Sequence, residues 1–355
     1  MPNLDDFELA TMPGLWRWYE QSARQLAFRA SSRGEAEAWQ RTLRDTLTRL
    51  LGRRPDMSGP LDAQRIEIVE ADGFTRELVV IQTSPGEYMP CYVLIPHQAA
   101  PPYKPVIALH GHGTWGARGL VGIAESDLET EFIKQLNYDY ARQFALRGYL
   151  VFAPVLRGFA ERMEATTPIN PDSPTPVDPK WLSSCRQVAL NAILAGTTLI
   201  GLRVWDVIRL IDYIQSRPEP MIRGLGCVGL SGGGTVTLFT TALEPRITCA
   251  VVSGYVNTFR TSIMSIEHCL CNYIPGILQY AEIPDIAALI APRPLLVESG
   301  DHDPIYPVEG TRQALDVLRA AYGCFGADDH LDADIFEGAH QWSGKKAYDW
   351  IAKWL

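Results

Sequence analysis

The sequence predicts an α/β fold: a mostly parallel, doubly wound sheet with antiparallel N-terminal strands and an N-terminal helical extension. Three observations carry this. From about residue 105 onward, short apolar runs alternate with helical patterns, and strands buried on both faces between helices build a parallel sheet. Before that point the runs 66–69, 77–81 and 88–95 are separated by Asp72-Gly73 and Ser84-Pro85-Gly86 turns, the pattern of antiparallel strands. Finally, 355 residues of 46% hydrophobic composition suffice for one large core with decorations.

Taken in order, residues 13–51 carry Trp16, Tyr19, Leu26, Trp39, Leu43 and Leu47 at spacings near three and four. This predicts two amphipathic helices broken at Ser31-Ser32-Arg33-Gly34. Residues 1–60 are read as a helical extension packed on the core, and 61–355 as one catalytic domain. Candidate strands lie at 105–110, 149–154, 225–230, 248–253, 294–298 and 334–337. Helical patterns fall between them at 129–147, 184–217, 233–243, 308–323 and 343–354. Insertions near 114–128, 160–185 and 255–290 are expected to shape the site.

The formal net charge of -9 argues against a nucleic-acid binder, which needs concentrated Lys and Arg. Seven scattered cysteines suggest reduced thiols, not a disulfide framework, and no C-x-x-C pair marks a zinc site. The N-terminus lacks an export pattern and no apolar run is long enough to span a membrane, so a cytoplasmic protein without membrane or nucleic-acid partners is expected. Oligomeric state is not legible.

The chemistry centres on Gly229-Leu230-Ser231-Gly232-Gly233, a G-x-S-x-G match at the end of an apolar run and the start of a helix. There a tight strand-to-helix turn holds a serine hydroxyl out at the sheet edge. Such a nucleophile needs an acid and a base later in the chain. The run 295–298 leads into Ser299-Gly300-Asp301-His302-Asp303-Pro304, placing carboxylates at the carboxyl end of a strand; Asp303 is the chosen acid and Asp301 a turn residue. His340, between the last strand and the last helix, is the expected base. His110-Gly111-His112-Gly113 follows the first parallel strand, so the backbone N–H groups of His112 and Gly232 are the expected oxyanion donors. The imidazoles of His110 and His112 are read as structural. Arg157 is read as a loop-organising ion-pair partner, and Trp115, Tyr273 and Trp342 as candidate substrate-binding aromatics. Cys269 and Cys271, beside His268, are separated by one residue and read as a packed segment, so neither metal nor cofactor is expected.

At these positions the chain resembles α/β-hydrolase esterases of the dienelactone-hydrolase-like and acetyl-xylan-esterase-like group. The resemblance rests on His110-Gly111-His112-Gly113, Arg157-Gly158-Phe159, Gly229 to Gly234, Cys269 to Tyr273, Glu298 to Pro304 and Phe336 to Trp342, and spans about residues 75–355. It implies an α/β-hydrolase fold, a Ser231, Asp303, His340 triad and cofactor-free hydrolysis of a small carboxylic ester, with sugar acetates among the candidates. Dienelactone hydrolases proper use a cysteine nucleophile; serine at 231 points to the esterase branch. A lactonase, an amide hydrolase or an acyltransferase would use the same triad. A metallohydrolase on His110, His112, His302, Asp301 and Asp303 lacks an H-E-x-x-H helix. Gly224, Gly226 and Gly229 match G-x-G-x-x-G but precede or lie within the strand, where no helix N-terminus meets a pyrophosphate. A non-catalytic binding protein would leave the three filled triad positions without a purpose.

Overall fold

In a computed structural model, residues 7–164, 181–221 and 223–355 are described. The stretch 165–180, which holds most of the expected 160–185 insertion, lies outside them. Two helices come first, α1 (Met12–Gln21) and α2 (Arg33–Leu51), followed by the antiparallel strands β1 (Gln64–Ala71), β2 (Phe74–Ser84) and β3 (Glu87–Pro96). The alternating region then runs β4 (Pro105–Leu109), α3 (Ala117–Leu120), α4 (Asp127–Leu136), α5 (Tyr140–Ala145), β5 (Leu150–Pro154), α6 (Cys185–Leu194) and α7 (Leu199–Ser216). It ends with β6 (Gly226–Leu230), α8 (Gly232–Leu243), β7 (Cys249–Ser253), α9 (Ile283–Ala288), β8 (Leu295–Gly300), α10 (Val308–Phe325), β9 (Leu331–Phe336) and α11 (Ala347–Trp354).

The strands form one nine-stranded sheet in the order β1-β2-β3-β5-β4-β6-β7-β8-β9. Pairing is antiparallel from β1 through β3 to β5 and parallel from β5 to β9. The chain leaves β4 toward β5 on one side and returns to β6 on the other. That reversal opens a crevice beyond the carboxyl ends of β4 and β6, where open α/β sheets place their sites. Register sets Leu109 beside Gly229, so the loop after β4 and the turn after β6 emerge at the same level.

Every residue of β4, β5, β6, β7 and β8 is buried, as apolar strands covered on both faces require. Alternation along β4 divides the core: Ile107 and Leu109 face one hydrophobic cluster, Val106 and Ala108 the other. Two of the anticipated helices are interrupted. Asn137, left-handed at φ 49°, ends α4 before α5 begins, and the span expected over 184–217 breaks at Gly196 (φ 76°), after which the Thr198 side chain caps α7 by accepting from Gly201 N–H. The last strand begins at Leu331, three residues before the expected 334–337 run.

Helix α2, capped by Ser32, buries Leu43, Leu47 and Leu51 in the cluster that also holds Ile107 and Leu109. The buried Gln40 amide donates to the carbonyls of Ala288 (3.1 Å) and Ala291 (2.7 Å). Glu282 and Asp285 form a capping box on α9 and also hold the N-terminal segment: Tyr19 Oη donates to Glu282 (2.8 Å) and Phe28 N–H to Asp285 (2.7 Å). Because Leu47 shares the sheet's core, Leu47→Ala should lower unfolding stability by about 2–5 kcal/mol in a single transition followed by chemical denaturation. Loss of a separate early phase, with the main transition unmoved, would mean that the extension folds apart.

Candidate active site

Ser231 joins β6 to α8 at φ 59°, ψ -119°, a positive φ that a non-glycine residue adopts only when its surroundings impose it. The imposition comes from both flanks. Ser231 N–H donates to Ser253 O at the end of β7 (2.9 Å), and Ser231 O accepts from Thr235 N–H in the first turn of α8 (2.8 Å). Gly233 lies so close to β4 that an added Cβ would stand 1.8 Å from Leu109 O, and a Cβ on Gly229 would stand 2.5 Å from the Gly233 carbonyl. Only glycine fits at these two positions. The Ser231 side chain makes no capping bond to its helix.

The histidine arrives from the opposite side. His340 follows β9, and its Nδ1 lies 2.6 Å from Asp303 Oδ2. The other Asp303 oxygen accepts from the N–H groups of Ile305 (2.8 Å) and Tyr306 (3.0 Å), which fix the carboxylate. With both oxygens engaged and the group buried, Asp303 is shaped to receive a proton-bearing Nδ1. His340 Nε2 is buried and has no hydrogen-bond partner among the described residues. The Tyr306 ring lies nearly parallel to the imidazole, centroids 5.6 Å apart and 22° between planes. Gly254 lies against the same ring, for a Cβ there would be 3.0 Å from His340 Cε1. Gly254 directly follows Ser253, the residue that anchors the Ser231 backbone. The structure thus brings Ser231, Asp303 and His340 to one end of the sheet from three strand ends. Asp301 turns away, accepting from Gly338 N–H (3.0 Å) and pairing with the exposed His302 (2.6 Å).

The loop after β4 lies directly on the serine turn. A Cβ on Gly111 would be 3.2 Å from Ser231 Cβ, and one on Gly232 would be 3.6 Å from His112 N. Gly232 is the first residue of α8, so its N–H has no carbonyl partner one turn earlier in the helix. His110 is structural: Leu156 N–H donates to its Nε2 (2.9 Å), which leaves Nδ1 to donate to Gly111 O (2.8 Å). Burial pushes its pKa down to about 3, so it stays neutral.

Arg157, on the loop after β5, holds Asp206 of α7 through two 2.8 Å bonds and reaches Glu87 with a third of 2.8 Å. Arg162 adds a 2.7 Å bond to the same carboxylate. Asp206 is fully buried; burial works against its charge, but the two guanidiniums prevail and hold its pKa below the ordinary range. The aromatic candidates separate. Trp115 packs edge-on against Phe132, with centroids 5.2 Å apart, and Tyr273 is 37% exposed with its hydroxyl donating to Ile263 O (3.2 Å). The expectation for Trp342 is corrected: it is 1% exposed and stacked on Tyr140 at 4.4 Å, a core side chain with no face for substrate.

Reading along the sequence also missed a cluster. His112, Cys185, Cys269 and Cys271 meet with their ligand-capable atoms all within 4.8 Å of one another, and His112 Nε2 lies 3.3 Å from Cys271 Sγ. Cys185, at the start of α6, is 84 positions before Cys269, and no local spacing announces that partnership.

No family model matches the chain. A curated relative from Bacillus subtilis (strain 168), named "Putative hydrolase YtaP", is 27% identical over 325 residues, covering 88% of this chain and 98% of its own length. Among solved structures, one described as a "putative acetyl xylan esterase" from Bacteroides fragilis NCTC 9343 superposes with a TM-score of 0.74 at 18% identity, over 95% of this chain and 84% of that one. A glucuronoyl esterase from Solibacter usitatus gives 0.62 at 16% identity, over 90% and 92% of the two chains. Acetyl Xylan Esterase 1 from Thermoanaerobacterium sp. JW/SL YS485 gives 0.57 at 13%, over 98% and 99%. The chain has the α/β-hydrolase fold. Among the described residues no helix is long and apolar enough to cross a membrane.

One buried carboxyl next to the site has a measurable signature. Glu298, in β8, accepts one bond from Gly344 N–H (3.1 Å), and its other oxygen has no partner among the described residues. Burial, reinforced by Asp334, pushes its pKa up to about 7. A carboxyl that holds its proton more tightly when folded stabilises the fold at acid pH and loses that contribution as pH rises from about 4.5 through 7, on the order of 3 kcal/mol in all. Glu298→Gln, which mimics the neutral form, should therefore gain thermal stability relative to the parent at pH 8 compared with pH 4.5. An equal Tm difference at both pH values would contradict the assignment.

Proposed function

We propose that the protein is a serine hydrolase of carboxylic esters acting through Ser231, His340 and Asp303 and an acyl-enzyme. The observation that carries this reading is the 2.6 Å His340–Asp303 bond, which leaves Nε2 buried and unpartnered among the described residues at the same end of the sheet as a serine held at positive φ. Asp303 accepts a hydrogen bond from His340 Nδ1–H, so Nε2 is the basic nitrogen. It takes the Ser231 proton as Oγ adds to the ester carbonyl, and Asp303 steadies the imidazolium. The N–H groups of His112 and Gly232 receive the oxyanion, each such donor contributing about 3–4 kcal/mol to the transition state. His340 then protonates the departing alcohol, and water attacks the acyl-enzyme with His340 again as base.

Sugar esters are the substrate class we favour. The solved proteins of the same fold named above are acetyl xylan and glucuronoyl esterases by their descriptions, and the partly exposed Tyr273, an aromatic suited to stack on a carbohydrate, follows Asn272, which bonds Thr235 in the first turn after the serine. In the loop 255–290 and in the segment around Trp115 lie the side chains that would distinguish an acetyl group from a uronate methyl ester.

Against a panel of acetylated sugars, uronate methyl esters and aryl esters of increasing chain length, Ser231→Ala should lower kcat by about 10⁶-fold and abolish labelling by a fluorophosphonate. Asp303→Asn should lower it by about 10⁴-fold while leaving KM close to the parent's, because it corrupts the tautomer and not the binding surface. Full turnover in Ser231→Ala would falsify the assignment. Short acyl chains on sugars should be preferred, and a preference for long aryl esters would exclude the carbohydrate reading.

A further inference from the structure

The side chains of His112, Cys185, Cys269 and Cys271 take no part in the proposed reaction, yet they meet at the junction of three segments, one of them the loop after β4 that packs on the serine turn. His112 belongs to the loop after β4, Cys185 opens α6, and Cys269 and Cys271 flank the start of the short turn Leu270–Asn272. Cys185 and Cys271 are buried, His112 and Cys269 partly so. Three thiols and an imidazole in one pocket are the donor set of a tetrahedral zinc site. In such a site thiolate sulfurs stand about 3.7 Å apart, given metal–sulfur bonds of about 2.3 Å. The four ligand atoms here already lie within 4.8 Å of one another, so about an ångström of contraction would bring them there.

A second, independent observation concerns charge. Arg203 of α7 is 1% exposed, and its guanidinium stacks over Phe159, donates to Arg157 O (2.6 and 3.1 Å) and donates to Cys185 Sγ (3.0 Å). Among the described residues no carboxylate pairs with it; the neighbouring Asp206 is committed to Arg157 and Arg162. A buried cation without a counter-ion is costly. Three neutral thiols and a neutral imidazole supply none. Three thiolates around a divalent ion carry one net negative charge, which neutralises Arg203. The bond from Arg203 to Cys185 and a second donor, Asn272 Nδ2 at 3.6 Å from Cys271 Sγ, are the N–H···S contacts that orient and stabilise thiolate ligands.

We propose that Cys185, Cys269, Cys271 and His112, through Nε2, bind a single structural zinc ion. All four positions are filled by protein, so no coordination site is open to substrate and the ion is not the catalyst. Its role is to cross-link the loop after β4 to α6 and to the 255–290 insertion. That fixes the backbone of His112, the residue packed against Gly232 whose N–H the proposed mechanism uses as an oxyanion donor. The cluster also extends toward the catalytic histidine: Asn272 bonds His268 Nδ1 (2.9 Å), and His268 Nε2 meets the hydroxyl of Tyr306 (3.1 Å), the ring stacked on His340.

The test is read without reference to ester turnover. The full chain, produced in zinc-supplemented medium and purified without a polyhistidine tag, should carry about one zinc ion per molecule by plasma mass spectrometry. Cobalt exchanged into it should show the intense visible bands of a tetrahedral site and thiolate-to-cobalt charge transfer in the near ultraviolet. Cys185→Ser and Cys271→Ser should each cut the zinc content at least about tenfold, whereas Cys324→Ser, which lies outside the cluster, should leave it intact. Stripping the parent with a chelator should lower its Tm, with recovery on adding zinc. The proposal is overturned by folded parent protein free of metal after zinc-supplemented growth, by a disulfide among the three cysteines in non-reduced peptide mapping, or by full zinc content in the Cys185→Ser/Cys271→Ser double variant. The measurements on the parent chain stand even if a variant fails to fold.

Discussion

The contact on which the site depends is the approach of α8 to β4, where the Leu109 carbonyl occupies the space a side chain on Gly233 would need. This closeness lets the helix start immediately after the strand. It forces Ser231 into a positive φ, and it sets Gly232, the first residue of α8, against His112 of the loop that follows β4. Strain of this kind costs on the order of 1–3 kcal/mol and persists because bonds on either side over-determine it: Ser253 O holds the Ser231 N–H, and Thr235 N–H holds the Ser231 carbonyl. The topology reversal between β4 and β6 puts the loop after β4 and the serine turn side by side without any long connection.

Asp303 and His340 are held by different means. Asp303 is fixed by two backbone N–H groups, so it presents one oxygen to His340 in a set direction. The imidazole is confined between the Tyr306 ring and the bare backbone of Gly254. Both sit on loops at the carboxyl ends of neighbouring parallel strands, and the rigidity of the site is that of the sheet beneath it.

Buried charge organises the shell outside these residues. Asp206 is surrounded by Arg157 and Arg162, which ties the loop after β5 to α7. Arg203, three residues earlier on the same helix, faces sulfur instead of carboxylate. One helix therefore ties the loop after β5 through a carboxylate and meets the start of α6 through a sulfur, and that difference is what singles out the cysteine cluster.

How much of this could be read along the chain depends on range. The strand and helix periods, the elbow at Ser231 and the order of serine, acid and histidine are local patterns. Each is a few residues long and repeats the geometry of one element, so the sequence by itself determined the sheet and its antiparallel opening, and it singled out Asp303, the carboxylate that the fold sets against His340. Helix breaks at Asn137 and Gly196 were lost because apolar spacing ran on across single left-handed residues. Trp342 sits two residues from His340 and in sequence looked like part of the site; only its stacking on Tyr140, some two hundred positions away, made it core. The same holds for Cys185, His112 and Arg203. Their meeting is decided by how α6, α7 and the loop after β4 pack, a long-range outcome of burying apolar faces, and no spacing in a linear sequence encodes which distant thiols that packing brings together.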